Sequence, residues 1–298
     1  MPLVSVCIAT YQRPTGLRNL LDSIEAQQLP ADVDVELVVV DNDPPTAAQV
    51  VSDYAAKSRF AVQYLSQPEP NISLTRNAGV AAANGDLAWF VDDDEVAEPT
   101  CLARLVSTLQ NFDADVVFGP VAPTFLPEFP EWMKPLHERP IPATGEASGA
   151  HRTSNTLVRS SVLDLVDGPF DPAYGVSGGE DGLFFRTLEM QGLRLISCAD
   201  AFVTEDVPAE RSTWQWLRSR HRRQGQNYGR QTVALEGGVF AKGSLWMASK
   251  AVFQVALWGG AAIVARRDQS RRAAKMLQFW TNVGKLEGVF GAATSRDG

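Results

Sequence analysis

Strand-length apolar runs separated by helix-patterned stretches fill the first ninety residues and limit the possible folds more than any other feature of the chain. Residues 3–9 (LVSVCIA), 35–40 (VELVVV), 61–65 (AVQYL) and 87–91 (LAWFV) are short and almost continuously apolar. Parallel strands buried on both faces read this way. Helical patterns at 16–28, 46–57 and 73–84 lie between them. Alternation of this kind needs right-handed crossovers, which predicts an α/β fold built on a mostly parallel sheet with helices on both faces. Such sheets bind ligands beyond the carboxyl ends of their strands, so the residues that follow each run matter most.

Further along, 152–159 (RTSNTLVR) and 193–205 (LRLISCADAFVTE) resume strand-like patterning around an expected helix from Asp181 to Gln191. The Pro-rich stretch from Pro120 to Pro142 reads as a long surface loop. Trp132 and Met133 within it form either an adjustable cleft wall or a packed connector. The tail is read as helical. Charge divides the chain in the same place: residues 1–208 carry 12 Lys+Arg against 30 Asp+Glu, whereas 209–298 carry 15 against 5. The expected domains are therefore 1–208, the acidic α/β body, and 209–298, basic and partly apolar. A net charge of −8 split into an acidic body and a basic tail argues against a nucleic-acid binder with one basic face, and suits a metal-using body joined to a segment facing phosphate or anionic lipid. Cys7, Cys101 and Cys198 are far apart and show no CxxC spacing, which fits a reducing, cytoplasmic setting, and no leader pattern opens the sequence.

The first run ends in Thr10-Tyr11-Gln12-Arg13-Pro14 and the second in Asp41-Asn42-Asp43-Pro44. Asp41 is a candidate acceptor for a base or ribose and Tyr11 a stacking surface, although Asp and Pro also populate turns for local reasons. The fourth run leads directly into Asp92-Asp93-Asp94-Glu95. Adjacent carboxylates repel by about 1 kcal/mol at 4 Å even in water. A hard divalent cation, Mn²⁺ or Mg²⁺, relieves that conflict and keeps open positions for a diphosphate. An acidic helix start is the structural alternative; EF-hand spacing is missing, which disfavours calcium storage. A second group, Gly178-Gly179-Glu180-Asp181-Gly182, sets paired acids behind glycines that allow close approach to a ligand. Different environments for Glu180 and Asp181 would let one accept a proton while the other is held by hydrogen bonds, and first-turn acids of a helix are again the alternative.

In the tail, the 15 uncharged residues from Ala251 to Ala265 fall short of the roughly 20 that span a bilayer. Lys250, Gln254 and the cluster Arg266, Arg267, Arg271, Arg272 suit a helix lying at an anionic membrane surface. A helical hairpin with 270–291 that packs on protein fits equally well.

SVCIATYQRP, ELVVVDND, PNISLTRNAG, FVDDDE and GGEDGLFFR, in that order, resemble the family 2 glycosyltransferases over about residues 3–230. FVDDDEVAEP, the following GPV and the GGED segment are similar in particular to bacterial exopolysaccharide glycosyltransferases of the succinoglycan type. The resemblance implies the A-type fold, a Rossmann-like nucleotide-sugar domain, here with a C-terminal helical segment. It implies that Thr10, Tyr11, Arg13 and Asp41 hold the nucleoside and that Arg76 contacts the uridine diphosphate. Asp92 and Asp94 match the DxD motif, with Asp94 on the metal, Asp92 on the ribose or a metal-bound water, and Asp93 among the donor contacts. Asp181 matches the catalytic base, with Glu180 in support. Asn42 stands where many members have a second acid, and no QxxRW motif is present, which argues for one sugar per encounter.

The expected reaction is inverting transfer of a hexose from a UDP-sugar to a hydroxyl of a saccharide, lipid-linked or free, in exopolysaccharide or cell-surface glycan synthesis. His221, Arg222 and Arg223 are candidate diphosphate contacts, against which His221 also reads as a packed surface histidine. The expected partners are donor, acceptor and the inner leaflet of the plasma membrane, with no nucleic acid. A sugar-phosphate nucleotidyltransferase is disfavoured because the first turn is not a Gly-rich phosphate loop. A noncatalytic metal-binding or membrane-associated scaffold is the alternative from a different class.

Overall fold

The computed structural model describes residues 2–166 and 168–291. Met1 and residues 292–298, the end of the expected C-terminal region, lie outside the described residues. In chain order the elements are β1 (Leu3–Thr10), α1 (Pro14–Glu25), β2 (Asp34–Asp41), α2 (Ala48–Ala55), β3 (Ala61–Ser66), α3 (Ile72–Ala82), β4 (Leu87–Phe90) and β5 (Glu95–Ala97). There follow α4 (Cys101–Asn111), β6 (Val116–Phe118), β7 (Val121–Phe125), β8 (Thr156–Arg159), α5 (Ser160–Leu163), α6 (Glu180–Met190), β9 (Leu195–Ser197) and β10 (Val203–Val207). Three long helices close the chain: α7 (Trp214–Glu236), α8 (Lys242–Val264) and α9 (Gln269–Val289).

The chain forms two compact units. One comprises the residues up to Thr124, Arg139–Val176 and Leu183–Asp206; the other comprises Phe125–Glu138, Ser177–Gly182 and the chain from Val207 onward. The break near Val207 matches the charge boundary. The two inserted pieces do not follow from a division at 208, because side-chain packing and not sequence order groups them with the tail.

The first unit holds a seven-stranded sheet in the order β3-β2-β1-β4-β8-β6-β9. All its strands run the same way except β8, which is antiparallel to both neighbours. The expected α/β architecture is thus the observed one. Period-2 alternation divides the strand residues between two cores. Val4, Val6 and Ile8 of β1 and Trp89 of β4 pack with Leu17, Leu20 and Leu21 of α1 and Leu102 and Leu105 of α4. Cys7, Ala88 and Phe90 face the other way, toward Phe184, Phe185 and Leu188 of α6. All three cysteines are buried free thiols. A small sheet, β5-β10-β7, stands beside the main one. It corrects the reading of 120–142 as loop throughout: Pro123 lies inside β7, and is tolerated because β7 is an edge strand.

In the second unit, Phe129 and Met133 from the Pro-rich stretch join Val207, Leu217 and Leu277 in a separate core. Met133 is only 2% exposed, so the packed connector is what forms and the adjustable cleft wall is not. Helices α7 and α9 meet through glycines. A Cβ on Gly225 or Gly229 would fall 2.0 or 2.4 Å from a backbone oxygen of α9, and one on Gly284 or Gly288 equally close to α7. Paired small residues four apart let the two backbones touch. Helix α8 packs beside α9, so the expected hairpin is present.

Candidate active site

The register of β1 sets Thr10 beside Asp41 on β2 and Cys7 beside Phe90 on β4. The polar sequences after these three strands therefore gather at one carboxyl edge, where the acidic run of 92–95 forms a tight turn. Glu95 donates its backbone N–H to the Asp92 carbonyl at 3.1 Å, and its side chain accepts from the Asp92 N–H at 2.9 Å. Burial pushes the Glu95 carboxyl well above the usual carboxylate range, and the charges of Asp92, Asp94 and Glu205 add to the effect. Asp93 also turns inward. Its carboxylate accepts from Thr10 Oγ1 at 2.9 Å, the Tyr11 N–H at 3.2 Å and Arg13 at 3.0 Å. Burial raises its pKa to about 6 against the opposing pull of Arg13.

Asp92 and Asp94 point the other way, with side chains 43% and 25% exposed. Arg13 reaches Asp94 at 2.8 Å and Arg76 reaches Asp92 at 3.5 Å. Although burial works against its charge, the Arg13 guanidinium is held protonated by Asp94, Asp93 and Asp92. Gly16, in the first turn of α1, closes on this turn so tightly that a Cβ would lie 2.6 Å from the Asp93 carbonyl oxygen.

Within PNISLTRNAG, the asparagines and the glycine anchor α3 to its surroundings. Asn71 caps α3 by accepting from the N–H groups of Ser73 and Leu74 at 3.1 and 3.3 Å, a contribution of about 1 kcal/mol. Asn77 exchanges hydrogen bonds with the backbone of Phe170, at 2.8 and 3.0 Å. Gly79 packs on Val40. Arg76 is thereby held against Asp92 and lines, with Thr75, Ile8 and Val91, a small pocket at the strand ends.

Asp41 is fully buried and accepts from the N–H groups of Asp43 and Ala47 and from the Tyr64 hydroxyl, at 2.8–2.9 Å. It braces the loop after β2. Asp93, placed among the donor contacts from sequence, is a brace for the turn after β1. Tyr11 is half exposed.

The GGED segment lies in the second unit. Gly178 and Gly179 have φ of +82° and +99°, a conformation that favours glycine. The α7 residues Gln231 and Arg230 hold the loop by donating to the Gly179 carbonyl at 2.9 Å and to Ser177 Oγ at 2.7 Å. Glu180 is 2% exposed. Asp181 is more open, and its Oδ1 accepts from the Gly182 N–H at 2.7 Å. The two acids thus differ in exposure.

The basic triplet on α7 is mostly committed elsewhere. Arg222 forks onto Glu287 of α9, a contact that Gln226 reinforces, and the mutual hydrogen bonding raises the Arg222 pKa and lowers that of Glu287. His221 Nδ1 lies 3.1 Å from Thr281 Oγ1. His221 and Arg222 thus take part in the packing of α7 on α9; Arg223 is half-buried on the same helix.

Among the described residues no three His, Cys, Asp or Glu side chains converge as a metal cage. Asp92 and Asp94 nonetheless fit Mn²⁺ or Mg²⁺, since such ions take one or two carboxylates and complete their shell with water and phosphate oxygens.

Comparison with known proteins settles the family. The model of glycosyl transferase family 2 matches residues 5–163. The chain belongs to that family. The succinoglycan biosynthesis protein ExoM of Rhizobium meliloti is 30% identical over 292 residues, 97% of this chain and 93% of the relative. A glucosyl-dolichyl phosphate glucuronosyltransferase of Haloferax volcanii is 29% identical, with 72% of each chain covered. The fold is shared with the mannosyltransferase PcManGT of Pyrobaculum calidifontis, solved with GDP-Man and Mn²⁺ (TM-score 0.67, 17% identity, 97% of this chain and 87% of that one). It is shared as well with residues 1–349 of S. aureus TarS bound to UDP (TM-score 0.54, 17% identity, 97% and 90%). This family 2 glycosyltransferase is therefore similar along nearly its whole length to a protein of exopolysaccharide synthesis.

Proposed function

We propose that the chain transfers a hexose from a UDP-sugar to a hydroxyl of a saccharide acceptor carried on a lipid, with inversion, at the cytoplasmic face of the membrane. The observation that carries this reading is the alternation inside the acidic turn. Asp93 and Glu95 turn inward and have structural partners, while Asp92 and Asp94 are presented outward at the strand ends beside two arginines. Burial does not require them there, and their repulsion has to be offset.

In this reading Tyr11 stacks on the base, Arg13 and Arg76 face the diphosphate, and Asp92 and Asp94 hold Mn²⁺ or Mg²⁺. A cation held there would supply charge neutralisation for the diphosphate. Arg13 and Arg76 add fixed positive charge at the same place, which is worth most where water is excluded. The Asp181 carboxylate takes the proton of the acceptor hydroxyl as that oxygen bonds to the anomeric carbon. The bond to the phosphate oxygen breaks on the opposite side, and the nucleoside diphosphate leaves with the electron pair. Glu180 supports the loop that carries Asp181.

A screen of UDP-glucose, UDP-galactose, UDP-glucuronate and GDP-mannose with Mn²⁺ tests the reading. A UDP-hexose is expected to bind and turn over slowly even with water as acceptor. Preference for the GDP-sugar would overturn the choice of base, and binding of none of them would favour the scaffold alternative. Gly16→Val is expected to displace the acidic turn, at an overpacking cost of about 1–3 kcal/mol. Donor affinity should then fall by about tenfold in a calorimetric titration; unchanged affinity would place the donor elsewhere.

A further inference from the structure

We propose that the outer face of α8 is a docking surface for an anionic lipid bilayer, with the helix lying in the plane of the membrane. This goes beyond the chemistry of transfer and stands on different residues.

Helix α8 is 23 residues long; its most apolar 18-residue stretch has a mean hydropathy of 1.4, yet only 22% of that stretch is buried. Ser244, Met247, Ala248, Ala251 and Ala262 are its buried positions. Trp246, Phe253, Leu257 and Val264 are 66%, 68%, 49% and 85% exposed. They follow one another at i, i+7, i+11 and i+18, a single line down the helix. Leu245, Val252 and Ile263 form a second exposed line alongside. The face runs for about 27 Å at 1.5 Å per residue. The strip is apolar apart from Lys250, whose Nζ lies 4.9 Å from the Trp246 ring centroid, and an exposed apolar strip of that size marks an interaction site.

Charge selects the occupant. Exposed Lys242 stands at one end of the strip and exposed Arg266 and Arg267 at the other, with Arg271 and Arg272 close behind. Residues 209–298 carry ten more basic than acidic side chains. A second copy docked on the same strip would bring these cations together, whereas anionic headgroups attract them. The same neighbours exclude a spanning helix. Lys275 of α9 lies over the Trp258 ring, 4.7 Å from its centroid, beside the middle of α8. Lys285 of α9 loses basicity through burial and through the charge of Lys250 on α8. Threading α8 through a bilayer would carry both α9 lysines into hydrocarbon, at heavy cost. Lying flat sinks the apolar strip and leaves the lysines on the water side.

The full chain is tested by co-sedimentation with vesicles of phosphatidylcholine alone or containing about one third phosphatidylglycerol. It is expected to bind the anionic vesicles, to release in high salt or alkaline carbonate, and to bind phosphatidylcholine weakly. Trp246→Glu with Phe253→Glu should reduce partitioning at least about tenfold, and so should Val264→Glu with Ile263→Glu at the helix end. Arg266→Glu with Arg267→Glu should lower binding to the level seen on phosphatidylcholine. Circular dichroism and donor binding should be unchanged in all three, which separates loss of docking from loss of fold or of the donor site. Equal binding by wild type and both apolar variants would overturn the proposal, as would retention after carbonate extraction. A lipid-free dimer that Trp246→Glu with Phe253→Glu converts to monomer would assign the face to a second copy instead.

Discussion

Asp181→Asn lowers the rate of sugar transfer by about 10²–10⁴-fold, the usual contribution of a positioned general base, and leaves donor affinity within about twofold, because the substitution keeps the side chain's size and its acceptor oxygen. The contrast with Glu180 motivates the choice: Glu180 is buried, whereas Asp181 is the more open acid of the pair. Single-turnover transfer and calorimetric donor titration, run on one preparation, check both halves. Near-normal transfer by the variant would remove Asp181 from the reaction. An equal collapse of binding would make it a donor contact instead.

Asp94→Ala is expected to abolish the dependence of donor affinity on Mn²⁺, a loss of about 10²-fold or more for one of only two protein ligands to a hard cation. Donor affinity without metal should change little, since Arg76 and Tyr11 are untouched. The variant also frees Arg13 from one of its two partners while Asp93 retains it, so the fold around α1 should survive and the thermal midpoint stay close to that of the wild type. Titrations with and without Mn²⁺ distinguish this from a purely structural effect, which would lower both affinities together.

Much of the fold could be read from the sequence because its signals are local. The apolar runs at 3–9 and 61–65 become β1 and β3 with ends shifted by one residue at most, since short apolar runs bounded by turn residues have strand length, although β3, at the sheet edge, is only partly buried. Residues 101–118 gave no such reading, although α4 and β6 lie there. Pro123 concealed β7, as a proline marks an edge strand and a loop alike.

For the site, sequence located the acids without orienting them. Four consecutive carboxyls look equivalent until Glu95 closes back on Asp92 and Thr10 and Arg13 claim Asp93. Only then do Asp92 and Asp94 separate from their neighbours. Asp41 looked like a ligand contact because its structural partners, Ala47 and Tyr64, are up to 23 residues away. The partner of Arg222, Glu287, is likewise far off in the chain, 65 residues on. The spacing of Gly225 and Gly229 on one helix and Gly284 and Gly288 on another was a readable clue to close α7–α9 packing; it would have shown His221 and Arg222 to lie next to that contact.

The central claim is that the turn after β4 grips the cation and the diphosphate through Asp92 and Asp94. Anomalous diffraction at the manganese edge, from crystals grown with Mn²⁺ and a nonhydrolysable UDP-hexose, tests it most directly. The account predicts one strong peak within ligand distance, about 2.0–2.4 Å, of an Asp94 oxygen and the diphosphate, with the uracil ring against Tyr11. A manganese peak away from Asp92 and Asp94, or a nucleotide bound away from the ends of β1 and β4, would contradict it.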